Sequence, residues 1–473
     1  MKNLIDTIKS KLFSSFSPNH YITTSPHHHI TTSSHHHITT SSHHHITTSP
    51  HQDMILFRNK WTPLFLSNFL GVFNDNFVKN CIIFIAVGWV MPRWMTQSQL
   101  ISMVSASLIV PYLFLSPLAG RLSVIYSKKK VFMLCKLLEI PVLALACLAF
   151  YFHWVMIAIV SVLLMGILSC MYSPSKYSLI RDIGGEEGVS FGSGIFEMMA
   201  FMGILIGTFT ASIVSDANDQ WMIFSIFIGL AILGYLVTRS IRVKELPENK
   251  NEAGTLNPIR FLVDSFHFAR KHPYVNSAVF GASAFWLIGG MLQMNLIIHC
   301  KHVYQASNTI TGLVMSGAAI GIALGCWAAG RISGKKVKKG LILIGISGMS
   351  FLFILLAFFH ISFWFFVLCV FSTAFMGGLF EIPCLSMLQN SNLGRKLGDM
   401  IGYLNLVTFI LVLTGTFLFS LTTYLTSENS YAVFGVILAI CLLVTLYFIL
   451  KSPEYRNETT SMFKINIKPV TED

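Results

Sequence analysis

Ionisable side chains set inside long apolar runs are the residues of this chain best placed to do chemistry. An ion in hydrocarbon costs roughly 2.5–3.5 kcal/mol and needs a reason to be there. The first such run carries Phe73-Asn74-Asp75-Asn76-Phe77-Val78-Lys79-Asn80, with Lys79 one helical turn after Asp75 and Asn68 seven residues before it on the same face. Two readings compete: a polar stripe that contacts or gates a polar cargo, and an internal ion pair whose asparagines bond neighbouring helices. So many polar groups in so short a run favour the first. Lys136 and Glu139 stand at i, i+3 in a later run and either satisfy each other or meet a ligand. Glu197 and Glu381 have no partner nearby in sequence, so each is either hydrogen-bonded to a distant helix or a cation or proton site. Lys176 and Arg181 follow the fourth run; they read first as cytoplasmic-side basic residues, with Lys176 also able to meet a phosphate at that mouth. Gln293 and Asn295 would add uncharged contacts.

Catalysis finds no comparable support. No G-x-x-x-x-G-K-[ST] phosphate loop, H-E-x-x-H zinc motif or H-x-x-x-x-D acyltransferase pattern occurs. The nine cysteines form no C-x-x-C pair and fall almost entirely within apolar runs, so they read as free, buried thiols with no metal role. No cofactor is expected, and the protein reads as a non-enzyme.

The elements that would position these residues are transmembrane helices. Of 473 residues, 53% are hydrophobic and 11% charged, against roughly 25% charged in soluble proteins. A bilayer core needs roughly 20 helical residues per crossing, and twelve runs of that kind lie between residues 61 and 450. With both termini cytoplasmic, 29 of the 33 basic residues fall on one side, leaving Arg93 and Lys301 opposite and Lys79 and Lys136 within helices. The net charge of +12 is therefore a topology signal, and scattered short clusters offer no nucleic-acid footprint.

A polar connection divides the runs six and six. The expected organisation is a His/Ser/Thr-rich low-complexity extension over 1–53, read as disordered, a six-helix half over 54–240, a cytoplasmic linker over 241–273, a second half over 274–451 and a cytoplasmic tail over 452–473. Within the linker, 257–271 reads as a short helix that either lies at the membrane interface or packs against the halves, and Met54 stands where the membrane pattern begins. An internal echo supports duplication. Ala119-Gly120-Arg121-Leu122-Ser123 closes the second run, and Ala329-Gly330-Arg331-Ile332-Ser333 closes the eighth; Gly166 through Pro174 is answered by Gly377 through Pro383. The fold class is an all-α polytopic membrane protein, twelve transmembrane helices in two six-helix halves.

The segment from Pro117 to Val131, PLAGRLSVIYSKKKV, resembles the major facilitator loop signature G-x-L-A-D-r-x-G-r-r, with Gly120, Arg121, Lys128 and Lys129 at or beside its glycine and basic positions. Val124 replaces its Asp and Ser127 its later Gly, which puts any gating salt bridge on that Asp in question. Together with FLGVFNDNFVKN, KLLE, MGILSCMYSPSKYSLI and GSGIFEMMAFMGILIGT, it resembles the bacterial lysophospholipid transporter branch of the major facilitator superfamily over residues 61 to 208. The resemblance implies movement of lysophospholipids across the inner membrane to the cytoplasmic leaflet, where a separate acyltransferase or acyl-activating enzyme re-acylates them. It places family polar positions on Asp75, Asn76, Lys79, Lys136, Glu139, Lys176 and Glu197. Arg181-Asp182 departs from the branch, whose members tend to carry a proline followed by an acid. Two alternatives stay open: a proton-coupled carrier of a small metabolite or drug, with Glu197 or Glu381 as proton site, and a non-transporting membrane sensor or scaffold.

Overall fold

The computed structural model describes residues 50–86, 88–93, 95–217, 219–248 and 254–463. The expected low-complexity extension before residue 50 and the end of the tail after residue 463 lie outside the described residues. The helices are α1 (Pro50–Ala86), α2 (Gln97–Ile125), α3 (Lys128–Phe152), α4 (Val155–Ala217), α5 (Gln220–Arg239), α6 (Pro258–Arg270), α7 (Val275–His302), α8 (Asn308–Ser333), α9 (Gly340–Phe358), α10 (Phe363–Asn390), α11 (Leu397–Leu425), α12 (Ser430–Lys451) and α13 (Pro453–Phe463). Among the described residues, eleven of these are long and apolar enough to cross a membrane.

One of the eleven is two crossings in a single run. At 63 residues α4 would be about 95 Å long if straight. It is broken at Gly185, whose φ of 61° and ψ of −163° lie outside the helical region and suit glycine. The two arms make twelve crossings, six on each side of the segment that contains α6. The expected helix over 257–271 is α6, capped by Asn257 and begun by Pro258. Helix starts follow ordinary capping chemistry. Thr96 and Gln99 form a reciprocal capping box at α2, and Ser127, Asp219, Ser307 and Asn429 cap α3, α5, α8 and α12.

Apolar side chains face both ways, as a lipid solvent allows. Phe209, Leu313, Phe351, Phe417 and Leu443 are exposed on the outside, while a continuous core fills the second half around Ile288, Phe353, Phe380 and Phe434. The first half is different. It has two apolar clusters, one around Trp61, Phe132 and Ile180 and one around Phe77, Phe150 and Phe227. Lys136 and Glu139 lie on α3 between the stretches that feed these clusters, so a polar layer interrupts the core.

The sequence echo has a packing counterpart. Gly120, closing α2, lies against α11, where a Cβ would come within 3.1 Å of the Asp399 Cα. Gly330, closing α8, lies against the second arm of α4, where a Cβ would come within 3.0 Å of the Ser190 carbonyl oxygen and 3.1 Å of the Gly194 Cα. The second helix of each half thus packs on the fifth helix of the other, and at both contacts an added Cβ would make the neighbouring backbone give by a few tenths of an ångström. Gly330→Leu is expected to pry α8 from α4 at a cost of about 1–3 kcal/mol. Its measurement is the thermal unfolding temperature of the detergent-solubilised protein, and an unchanged value would show that the contact tolerates bulk.

Candidate substrate cavity

The halves are held together at the end that carries the basic clusters. Arg121 on α2 pairs with Asp399 on α11 at 3.3 Å, with side chains 8% and 12% exposed, and Lys396 approaches the same carboxylate at 3.8 Å. Arg395 donates to the carbonyls of Val124 and Tyr126, both at 2.9 Å, capping the end of α2 from the other half. Arg181 bonds the Asn390 carbonyl at 2.9 Å, and Lys335 pairs with Glu187 at 3.0 Å. The basic loop is tied to the segment after α5: the backbone N–H groups of Lys128 and Lys129 donate to Glu245 at 2.6 and 3.0 Å, and the Lys128 ammonium pairs with Asp182 at 2.6 Å. Val124 had left the gating bridge of the loop signature in question. The structure places an inter-half ion pair three residues earlier, on Arg121, with the acid on the opposite half.

Beyond this seal lies a cavity of about 510 Å³ walled by both halves, within the size range of small-molecule sites. Most of its wall is apolar, from Ile109 on α2 to Phe285 on α7, Met315 on α8 and Val412 on α11. Its charged groups are Lys176, Glu197 and Glu381, joined by Gln293 and Asn405. Two helix-breaking residues lie near them, Pro174 and Pro383, the prolines of the sequence echo.

Lys176 sits in a carbonyl-and-aromatic socket. Its ammonium donates to Asn68 Oδ1 at 3.0 Å and faces the rings of Tyr172, Tyr177 and Phe196 at 5.3 to 5.6 Å. Asn68 is itself held by its amide bond to the Phe196 carbonyl at 2.8 Å. The sequence reading of Lys176 as a cytoplasmic-side residue past the fourth run needs correction: α4 continues through it, and its ammonium points into the protein. Glu197 lies on the second arm of α4 and interacts with both Lys176 and the Tyr177 hydroxyl. Glu381 on α10 lies near the Trp286 ring on the same wall.

The remaining expected site residues are not on this wall. Asp75 accepts a bond from Ser169 at 2.8 Å, and Ser169 lies 3.4 Å from the Tyr172 hydroxyl. Lys79 does not pair with Asp75; it donates to Asn76 Oδ1 at 3.3 Å, while Asn76 bonds back to the Val72 carbonyl at 2.9 Å. The expected polar stripe is therefore turned into the first half. Lys136 and Glu139 do satisfy each other, at 2.7 Å, with side chains 1% and 3% exposed. The Lys136 ammonium also lies 4.7 Å from the Tyr172 ring centroid and 3.5 Å from its hydroxyl. Asn295 donates to the Ser430 carbonyl at 3.0 Å. Tyr172 is the hub that sequence reasoning missed, and it stands between the buried charges and Lys176. Asp399 and Trp286 were missed as well, and nothing in their local sequence distinguishes them from helix-end or core residues.

Among the described residues, catalytic groups do not assemble. Gly188-Val189-Ser190-Phe191-Gly192 spells G-x-S-x-G, but Ser190 is 2% exposed within a helix and packs against Gly330, where a nucleophile elbow needs a strand-to-helix turn. Among the described residues, no three His, Cys, Asp or Glu side chains are grouped to hold a metal, and all nine cysteines are free.

A family model described as the Major Facilitator Superfamily matches residues 64–416. The chain belongs to the Major Facilitator Superfamily. As a superfamily member it is a multi-pass membrane transporter and not an enzyme. It is 24% identical over 296 residues to the lysophospholipid transporter LplT of Klebsiella pneumoniae (strain 342), covering 60% of this chain and 70% of that one. To LplT of Photorhabdus laumondii it is 24% identical over 340 residues, covering 70% and 79%. Among solved superfamily structures, the human organic anion transporter MFSD10 (TETRAN) matches with a TM-score of 0.69 at 14% identity, over 82% of this chain and 99% of that one. The E. coli fucose:proton symporter FucP matches at 0.64 and 12%, over 83% and 98%. These structural likenesses establish the superfamily fold.

Proposed function

We propose that this superfamily member carries lysophospholipids across the bacterial inner membrane by alternating access, delivering them to the cytoplasmic leaflet for re-acylation by a separate acyltransferase or acyl-activating enzyme. The observation that carries the reading is a largely apolar cavity between the halves with a lysine, Lys176, held on its wall. An acyl chain suits the apolar wall, and a phosphate suits an ammonium. Relatives named as lysophospholipid transporters support the same substrate class.

In this reading the basic end faces the cytoplasm with both termini on that side, the first half runs over 54–240 and the second over 274–451, and the sealed basic end makes this the state that loads from the opposite face. Asp75, Asn76, Lys79, Lys136 and Glu139 act as a gating layer behind Tyr172 and not as direct ligands; Lys176, Glu197, Gln293 and Glu381 line the path.

The test is flux of labelled lysophosphatidylethanolamine into vesicles holding the full chain. Lys176→Ala is expected to lower it about 10- to 100-fold, the equivalent of about 1.5–3 kcal/mol for a hydrogen bond to a charged group. Flux no faster than in protein-free vesicles would overturn the substrate reading; wild-type flux in the variant would remove Lys176 from the path. Uptake driven by a pH gradient with no response to lysolipid would favour the small-solute carrier.

A further inference from the structure

The acidic side of the cavity is out of balance. Its wall carries Lys176 against Glu197 and Glu381, which leaves one formal negative charge. Glu381 is 3% exposed, and its Oε2 has no hydrogen-bond partner, while the Trp286 ring lies near the same carboxylate. Glu197, from the other half, is close enough to interact with it electrostatically. The aromatic surface beside them is continuous across the halves, because Phe201 stacks on Trp286 with centroids 5.9 Å apart and planes at 18°.

A buried carboxylate oxygen without a partner is costly, and a visiting group that completes its bonding would remove that cost. Carboxylates next to aromatic rings match a compact monovalent cation, which gains from both. An additional phosphate does not fit here, since two acids would repel it.

We infer that Glu381, Glu197 and the Trp286–Phe201 face form a subsite for a monovalent cation. Resting on the lysophospholipid reading above, the occupant is the ammonium of a zwitterionic head group whose phosphate meets Lys176. A free alkali cation shares this chemistry and is the other source.

The experiment compares Glu381→Gln with wild type in vesicles, using lysophosphatidylethanolamine, which carries an ammonium, and lysophosphatidylglycerol, which does not. Wild-type flux of the glycerol lipid tests the transport reading alone. Glu381→Gln is expected to slow the ethanolamine lipid about tenfold more than it slows the glycerol lipid. If both lipids slow together and the variant loses a response to an imposed sodium gradient that wild type shows, the subsite stands with the free ion as its occupant. Equal slowing without any sodium response, or a loss that follows the pH gradient, overturns the subsite, as does a variant that moves both lipids at wild-type rates.

Discussion

Lys136→Met destabilises the protein by about 3–5 kcal/mol, a large share of the roughly 5–15 kcal/mol that holds a typical fold together. The substitution leaves the Glu139 carboxyl without its 2.7 Å partner in a site where it is 3% exposed, so that it must either stay charged and unpaired or take up a proton. The paired variant Lys136→Met with Glu139→Leu removes both charges at similar volume, and it recovers most of the loss. Glu139→Gln alone is milder than Lys136→Met, because the lysine keeps its contact with the Tyr172 ring and hydroxyl. Thermal unfolding of the four proteins in one detergent, with monodisperse yield as a second readout, checks the order. A Lys136→Met protein as stable as wild type would show that the layer is not held by charge compensation.

Asp399→Asn opens the basic end. Arg121 and Asp399 pair in a nearly dry contact between α2 and α11, and losing about 1–2 kcal/mol there shifts the open population about 5- to 30-fold. A Ser173→Cys reporter on the cavity wall reads the shift. Its labelling by a membrane-impermeant maleimide from the basic side, above the same protein without the reporter, should accelerate by that factor. The exchange of charges, Arg121→Asp with Asp399→Arg, restores the pair but only part of the closure. Asp399 lies in the first turn of α11, where the helix dipole favours an acid and opposes an arginine. Labelling unchanged in Asp399→Asn would mean that Arg395 and the glycine contacts hold the seal without the ion pair.

Both predictions concern charges whose identity was plain in the chain and whose partners were not. Lys136 and Glu139 are three residues apart on one helix, so their pairing follows from 3.6 residues per turn. Arg121 and Asp399 are separated by 278 positions, and no local rule connects them. Asp75 and Lys79 show the limit from the other side. Spacing put them one turn apart, yet Asp75 turns to Ser169 and Lys79 to Asn76, because the choice among neighbours depends on what the adjacent helix presents. Lys176 was assigned to a loop since the apolar run ends near Pro174; α4 continues because buried lysines are tolerated once Asn68 and three aromatic rings surround them.

Composition, the spacing of apolar runs, the one-sided distribution of basic residues and the glycine echo were enough for twelve crossings and two related halves, and the loop after the second run carried the resemblance to the superfamily. These are properties of segments exchanging water for lipid, and each segment expresses them independently of the others. Which residues face the cavity was open until the helices met. Glu197 joins Glu381, and Tyr172 meets both Lys136 and Lys176, through contacts between segments, and the energy of a buried charge depends on surroundings that distant parts of the chain supply.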